Sequence, residues 1–173
     1  TQSALGETKV DSAAIRIADL NALVSVRGCA QRFDETLLRD AMPDVAVVVD
    51  CTDSFSSRNA LNHACFTHKV PLVSAAAIGF EAQLCSFDFR DPSSPCYRCL
   101  YDELDDSQLS CSESGVFSPL LGVAGSMQAL EALKIAAGLE PSMVGRLLLF
   151  DGFKATWRSF NITKDSDCSV CAD

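Results

Sequence analysis

The chain has 173 residues, 48% hydrophobic and 21% charged, with a mean hydropathy slightly above zero; this suffices for one ordinary globular domain and excludes a disordered, collagen-like or mucin-like chain. A membrane span needs roughly 20 consecutive apolar residues, but the longest apolar runs are short, such as Val45–Val49 and Leu147–Phe150, and Thr1–Val10 lacks the basic start and apolar stretch of a secretory signal. Fourteen basic against twenty-three acidic residues give a net charge of −9, which argues against a protein built to hold nucleic acid.

Val10, Ala13, Ala14, Ile17 and Leu20 recur at helical spacing and predict a helix over Lys9–Leu20. Val24–Val26 reads as a short strand, and Asp34–Met42 as a helix with Asp34 at its N-cap. The β-branched run Val45–Cys51 predicts a strand buried on both faces, as in a parallel sheet. Ser56–His68 returns to helical spacing and Pro71–Ser74 to strand, an alternation that implies right-handed βαβ units in a doubly wound sheet. After Gly79 the pattern changes. Gln83–Phe89 alternates apolar and polar residues, as a half-exposed strand does; Arg90–Pro95 is a loop, and Tyr101–Ser114 is a polar, acidic connection. Pro119–Gly138 is the strongest helix, with proline near its start and glycine at its end. Arg146–Phe150 and Thr156–Ile162 are two further strands joined by a turn at Asp151–Gly152. No repeat or low-complexity tract interrupts the chain, so a single domain is expected. A nucleotide-binding domain of this class usually opens with a strand, a G-x-G-x-x-G turn and a helix; no such turn stands near Thr1, and the chain begins where the second or third element would lie.

Nine cysteines are a high and odd number. Without a secretory signal, they favour metal binding or thiol chemistry over a disulfide framework. Cys29, Cys51, Cys65 and Cys85 lie in apolar surroundings, where a free cysteine acts as a small hydrophobe. Cys96 and Cys99 form one C-x-x-C pair, and Cys168 and Cys171 another. That spacing lets both thiolates of a pair reach one tetrahedral ion at roughly 2.3 Å, and two pairs complete a four-thiolate shell with no position for water. The expectation is a structural zinc ion that ties the C-terminal segment to the Cys96–Cys99 loop. A thioredoxin-like redox site would instead use one such pair opening a helix, which neither pair is expected to do.

Several motifs carry a family resemblance: G-E-T-K-V (Gly6–Val10), D-C-T-D-S (Asp50–Ser54), R-N-A-L-N (Arg58–Asn62), P-L-V-S-A-A-A (Pro71–Ala77), P-C-Y-R-C-L (Pro95–Leu100), S-C-S-E-S-G-V-F-S-P-L-L-G-V-A-G (Ser110–Gly125), Q-A-L-E-A-L-K (Gln128–Lys134) and C-S-V-C (Cys168–Cys171). Over essentially its whole length the chain resembles the MoeB and ThiF branch of the ubiquitin-activating-enzyme superfamily. The resemblance implies an α/β, Rossmann-like doubly wound sheet, truncated at its N-terminus, that continues into antiparallel strands and carries a structural zinc site of four cysteines. It implies ATP- and Mg²⁺-dependent adenylation of the C-terminal glycine of a ubiquitin-like sulfur carrier for molybdopterin or thiamin synthesis, in a cytoplasmic enzyme that is a homodimer when complete. The segment around Cys111 resembles the MoeB crossover loop more closely than that of ThiF.

Asp53 follows the predicted strand Val45–Cys51, at the carboxyl end where open α/β sheets place their ligands. By resemblance it is the magnesium- and ATP-binding aspartate, and a hard carboxylate oxygen suits Mg²⁺; the competing reading is an N-cap for the next helix. Ser54 stands where the family commonly has asparagine, a departure that alters one ATP contact. Lys9 matches the family's phosphate-binding lysine, a point charge suited to that task. Cys111 matches the crossover-loop cysteine, which bonds covalently to the carrier in some relatives and is dispensable in others; Glu113 and the acidic run Asp102–Asp106 should raise its pKa. The family's glycine-rich turn, its ribose-holding aspartate and its N-L-x-R-Q segment would all lie before Thr1. The chain thus reads as the C-terminal two-thirds of one adenylation domain, and residues 1–173 alone are expected to bind ATP poorly. The competing reading is a non-catalytic module that keeps the zinc and a carrier-docking surface.

Overall fold

The computed structural model describes residues 5–101, 115–141 and 143–172. The chain divides into two compact units, Thr1–Asp34 and Glu35–Asp173. The first holds helix α1 (Lys9–Leu20), with the bounds that its apolar spacing predicts. Thr8 caps it: its Oγ1 accepts from the Asp11 amide (3.1 Å) and donates to the Asp11 carboxylate (2.7 Å). The strand expected at Val24–Val26 does not form. These residues follow a turn and have no ladder partner among the described residues, so their β propensity has nothing to pack against.

The second unit runs α2 (Glu35–Ala41), a 3-10 turn (Met42–Asp44), β1 (Val48–Asp50), α3 (Phe55–His68), β2 (Leu72–Ile78), β3 (Glu81–Phe87), α4 (Tyr97–Leu100), α5 (Ser118–Ala136), β4 (Arg146–Asp151) and β5 (Thr156–Asn161). The five strands form one mixed sheet in the order β1-β2-β3-β4-β5. Only β1 and β2 are parallel, joined across α3; the other pairs are antiparallel. The α/β class is therefore as expected, with one parallel crossover leading into a meander.

Register decides what each face of the sheet carries. Ala75↔Leu84, Ala77↔Ala82, Leu84↔Leu148 and Ala82↔Phe150 are paired, so these residues share one face. On that face lie Leu120, Ala124, Ala132 and Ile135 of α5; each fully buried Leu or Ile contributes about 1.5–3 kcal/mol. The opposite face carries Leu72, Ser74, Ala76, Gln83 and Phe87. Phe87 meets Tyr97 of α4 edge-on and stacks with Phe89, which in turn meets Phe66 of α3. β3 is thus covered on both sides, and the half-exposed strand expected at Gln83–Phe89 is instead largely buried. Conversely β1, expected to be buried on both faces over Val45–Cys51, is shorter and leaves Val49 44% exposed, because α5 packs chiefly over β2 and β3.

Two glycines make tight passages possible. Gly79 takes φ 55° in the short turn between β2 and β3. Gly152, after β4, donates to the Phe80 carbonyl (2.7 Å), and a Cβ there would lie 2.9 Å from both that oxygen and Leu120 Cδ2. Within the core, the Glu131 carboxylate accepts from Ser86 Oγ (3.3 Å) and the Met143 amide (2.6 Å) and is ion-paired with Lys134. A buried charge so paired and hydrogen-bonded is tolerated, and it ties α5 to β3 and to the approach to β4. No helix among the described residues is long and apolar enough to cross a membrane.

Candidate functional site

The segment leaving β1 is held from several sides. The buried Asp50 carboxylate accepts from the Thr52 amide (2.9 Å) and hydroxyl (2.7 Å) through Oδ1, and from Ser74 Oγ (2.8 Å) through Oδ2. The buried guanidinium of Arg58, on the first turns of α3, donates to the Thr52 and Ala75 carbonyls. From α5, Gln128 Nε2 donates to the carbonyls of Asp50 (2.7 Å) and Val73 (2.9 Å), while its Oε1 accepts from Cys51 Sγ (3.5 Å). Three elements therefore fix the path of residues 50–52. Asp53 follows, exposed, with no hydrogen-bond or ion-pair partner among the described residues.

Two cavities meet at this point. One, of about 300 Å³, lies toward α5 and is lined by Cys51, Thr52, Val116, Gly125 and Gln128 among others. The second, of about 190 Å³, lies on the opposite face of the sheet, against Ile78, Glu81, Gln83, Leu149 and Asp151, with Phe55, Tyr97 and Arg158. Asp53, Arg58, Ala76 and Ala77 line both. Hydrogen bonds from the Lys154 and Phe153 amides, with the Lys154 ammonium nearby, hold the Asp151 carboxyl below the usual range. Burial raises the Tyr97 phenol, and the neighbouring Arg58 partly opposes that. Tyr101 donates to Gln83 Oε1 (2.6 Å) at the edge of the same region.

Beside the second cavity, four cysteines converge. The Sγ atoms of Cys96, Cys99, Cys168 and Cys171 all lie within 4.8 Å of one another. Cys96 is 3.6 Å from Cys168 and 3.9 Å from Cys99, and Cys99 is 3.3 Å from Cys171. A tetrahedron with metal–sulfur bonds of roughly 2.3 Å has edges of roughly 3.8 Å, so four thiolates fit one ion. Amides already point at the sulfurs: Cys96 N (3.5 Å) and Asp165 N (3.4 Å) both donate to Cys99 Sγ. Burial pushes the Cys96 thiol up to about 11, against the easing effect of the Asn62 amide. Cys171 is raised by burial and by its neighbouring sulfurs. Burial also opposes the Cys168 thiolate, but the amides of Cys171 and Val170 with the adjoining thiols outweigh it and leave that group below the ordinary range. A divalent cation would supply the positive charge that lets four packed sulfurs ionise together.

Residues 1–170 match the model of the ThiF family. The chain belongs to this family. It is 36% identical over 171 residues to the molybdopterin-synthase adenylyltransferase of Salmonella typhimurium, covering 99% of this chain and 68% of that enzyme. It is 38% identical over 157 residues to the sulfur carrier protein ThiS adenylyltransferase of Escherichia coli, covering 90% of this chain and 61% of that one. Among solved structures, E. coli MccB crystallised with MccA-N7isoASN shares the fold with a TM-score of 0.80 at 21% identity, covering 97% of this chain and 53% of MccB. MccB crystallised with ATP gives a TM-score of 0.79 at 22% identity, covering 96% and 51%. The chain spans about half the length of these solved relatives.

In this ThiF family chain the residues singled out in the sequence have different settings. Asp53 lies at the junction of the two cavities, and the N-cap of α3 is not Asp53 but Ser54, whose Oγ accepts from the Ser57 amide (3.2 Å). The Ser54 hydroxyl also donates to Ser57 Oγ (2.7 Å), so it is engaged in capping. Lys9 is exposed as the first residue of α1, in the other unit. Cys111 lies outside the described residues. The four paired cysteines do come together, although Cys96 stands at the N-cap of α4, so this pair opens a short helix contrary to expectation. Arg58, Gln128 and Tyr97 are added by the structure. Arg58 stood inside R-N-A-L-N and Tyr97 inside P-C-Y-R-C-L, but only the fold shows that both side chains reach the same cavity.

Proposed function

We propose that this chain serves the ATP-dependent adenylation of the C-terminal glycine carboxylate of a ubiquitin-like sulfur carrier, of the kind used in molybdopterin or thiamin synthesis, and that it forms the C-terminal two-thirds of one adenylation domain. The observation that carries this reading is the meeting of two cavities at Asp53 and Arg58, beyond the carboxyl end of β1. In this reading the nucleotide enters from the α5 side and the carrier tail from the other.

In the reaction a carboxylate oxygen of the carrier attacks the α-phosphorus of ATP. An oxygen–phosphorus bond forms and gives a mixed carboxylic–phosphoric anhydride, the bond from that phosphorus to the oxygen bridging the β-phosphate breaks, and pyrophosphate leaves with the electron pair. Little covalent work falls to the protein; positioning and charge dominate. Asp53, unpartnered among the described residues and exposed, is suited to hold a magnesium ion, which would neutralise phosphate charge. Arg58 is locked by two carbonyls and offers its other N–H groups to the junction without needing to reorganise. The sequence resemblance gives Lys9 a phosphate-binding role, and Ser54 keeps α3 capped. The four cysteines Cys96, Cys99, Cys168 and Cys171 hold a structural zinc ion that fixes α4 and the C-terminal segment beside the tail cavity. Dimerisation and a covalent role for Cys111 belong to the same proposal.

The test is carrier-dependent exchange of labelled pyrophosphate into ATP by the complete gene product. Exchange that Asp53→Ala removes supports the reading; exchange that persists in that variant counts against the role given to Asp53.

A further inference from the structure

One polar atom in the second cavity is unaccounted for. The side chain of Tyr97 is 2% exposed, and its hydroxyl is buried without a hydrogen-bond partner. A hydroxyl in that condition is unfavourable, and most buried polar groups in folded proteins are satisfied. Every other part of this residue is held. Its amide donates to Asn62 Oδ1 (2.9 Å), its ring packs on Phe87 and Tyr101, and Cys96 and Cys99 flank it in the sequence. The phenol therefore cannot swing away to find water. It lines the cavity beside Arg58, whose guanidinium lies near the phenol oxygen and can only donate to it, so the phenol proton has no acceptor. A phenol O–H and a guanidinium that face the same space are both donors, and together they suit one acceptor oxygen.

We propose that Tyr97 is a substrate-binding residue, whose hydroxyl donates to a carboxylate or backbone carbonyl oxygen of the carrier tail as that tail reaches the Asp53–Arg58 junction. The assignment rests on the adenylation reading and deepens it. Asn62 and the cysteine turn act through Tyr97 as positioning elements, because they set where its ring stands. The unmet hydroxyl separates this role from a structural one. A tyrosine that stabilised the fold through its O–H would have a partner in the protein alone, whereas this one gains its partner only with the tail.

The experiment compares the complete gene product with Tyr97→Phe, using ATP-Mg²⁺ and a synthetic peptide ending in a free glycine carboxylate. Melting temperature, ATP affinity, peptide affinity and pyrophosphate exchange are measured on both. Tyr97→Phe is expected to melt no lower than the wild type, to bind ATP equally well and to bind the peptide about tenfold more weakly, the effect of one lost hydrogen bond. The rise should fall on the peptide KM more than on kcat. Equal peptide affinity in both proteins would overturn the role of Tyr97 while leaving the adenylation reading intact. A melting temperature several degrees lower would also overturn it, by showing that the hydroxyl already serves the fold. If the wild type neither binds the peptide nor exchanges pyrophosphate, the adenylation reading falls and this assignment falls with it.

Discussion

Replacing Gln128 by methionine should loosen the strand that delivers Asp53 to the site. The side chain is 2% exposed, and its amide nitrogen serves the carbonyls of Asp50 and Val73 at 2.7 and 2.9 Å. Methionine has nearly the same length and fills the same space, so neither a cavity nor a clash follows. What is lost is a donor to each of two buried carbonyls, at about 1–3 kcal/mol per group left unsatisfied. Both oxygens have a second lone pair for the sheet, which places the total near the lower end, about 2–4 kcal/mol. For a protein of this size that is about 4–16 °C in melting temperature. Urea titration and thermal melting of Gln128→Met check the figure. Pyrophosphate exchange should fall as well, because the same carbonyl of Asp50 lies three residues before Asp53. A loss below about 0.5 kcal/mol would refute the reasoning, since it would mean that β1 and β2 keep their spacing without the clamp.

Two further predictions concern the cysteines. The complete gene product should contain one zinc ion per chain, and Cys168→Ser should lower its thermal stability and open the α4 region to proteases, as expected when metal binding is coupled to folding; zinc-free protein whose four thiols react at once would contradict this. Cys65 and Cys85 are pushed up to about 12 by burial, so at pH 8 only about one molecule in ten thousand carries the thiolate that alkylates. Raising the pH toward 12 should increase their reactivity, and peptide mapping after iodoacetamide treatment at pH 8 should find exposed Cys29 modified but not these two; modification of Cys65 or Cys85 at the rate of Cys29 would count against the buried setting.

How much was legible in the sequence depended on whether the signal was local. The spacing of Val10, Ile17 and Leu20 is local, and α1 has its expected bounds. The paired C-x-x-C spacing is nearly as direct, because one tetrahedral ion explains both pairs and the fold brings them together. Burial of a strand is not local. Gln83–Phe89 alternates like a half-exposed strand, yet α5 on one side and Tyr97 with Phe89 on the other cover it. Val45–Cys51 reads as a strand buried on both faces, yet the position of α5 leaves Val49 open. The competing N-cap reading of Asp53 missed the cap of α3 by one residue of helix boundary, which sequence patterns define poorly. Tyr97 and Gln128 looked like ordinary aromatic and helical residues. Their meaning lies in which carbonyls and cavities they reach across the sheet, and no spacing rule encodes that.

The central claim is that Asp53 stands where a carrier carboxylate meets the α-phosphate of ATP. It is tested most directly by incubating the complete gene product with ATP-Mg²⁺ and a glycine-ending ubiquitin-like sulfur carrier, then weighing the carrier by intact-protein mass spectrometry. Wild-type protein should yield a carrier heavier by one adenylyl group, released by alkaline hydrolysis as AMP. Asp53→Ala should yield none while still binding the carrier. Adenylated carrier formed equally well by Asp53→Ala, or no adduct from a wild-type protein that binds both ATP and carrier, would contradict the account.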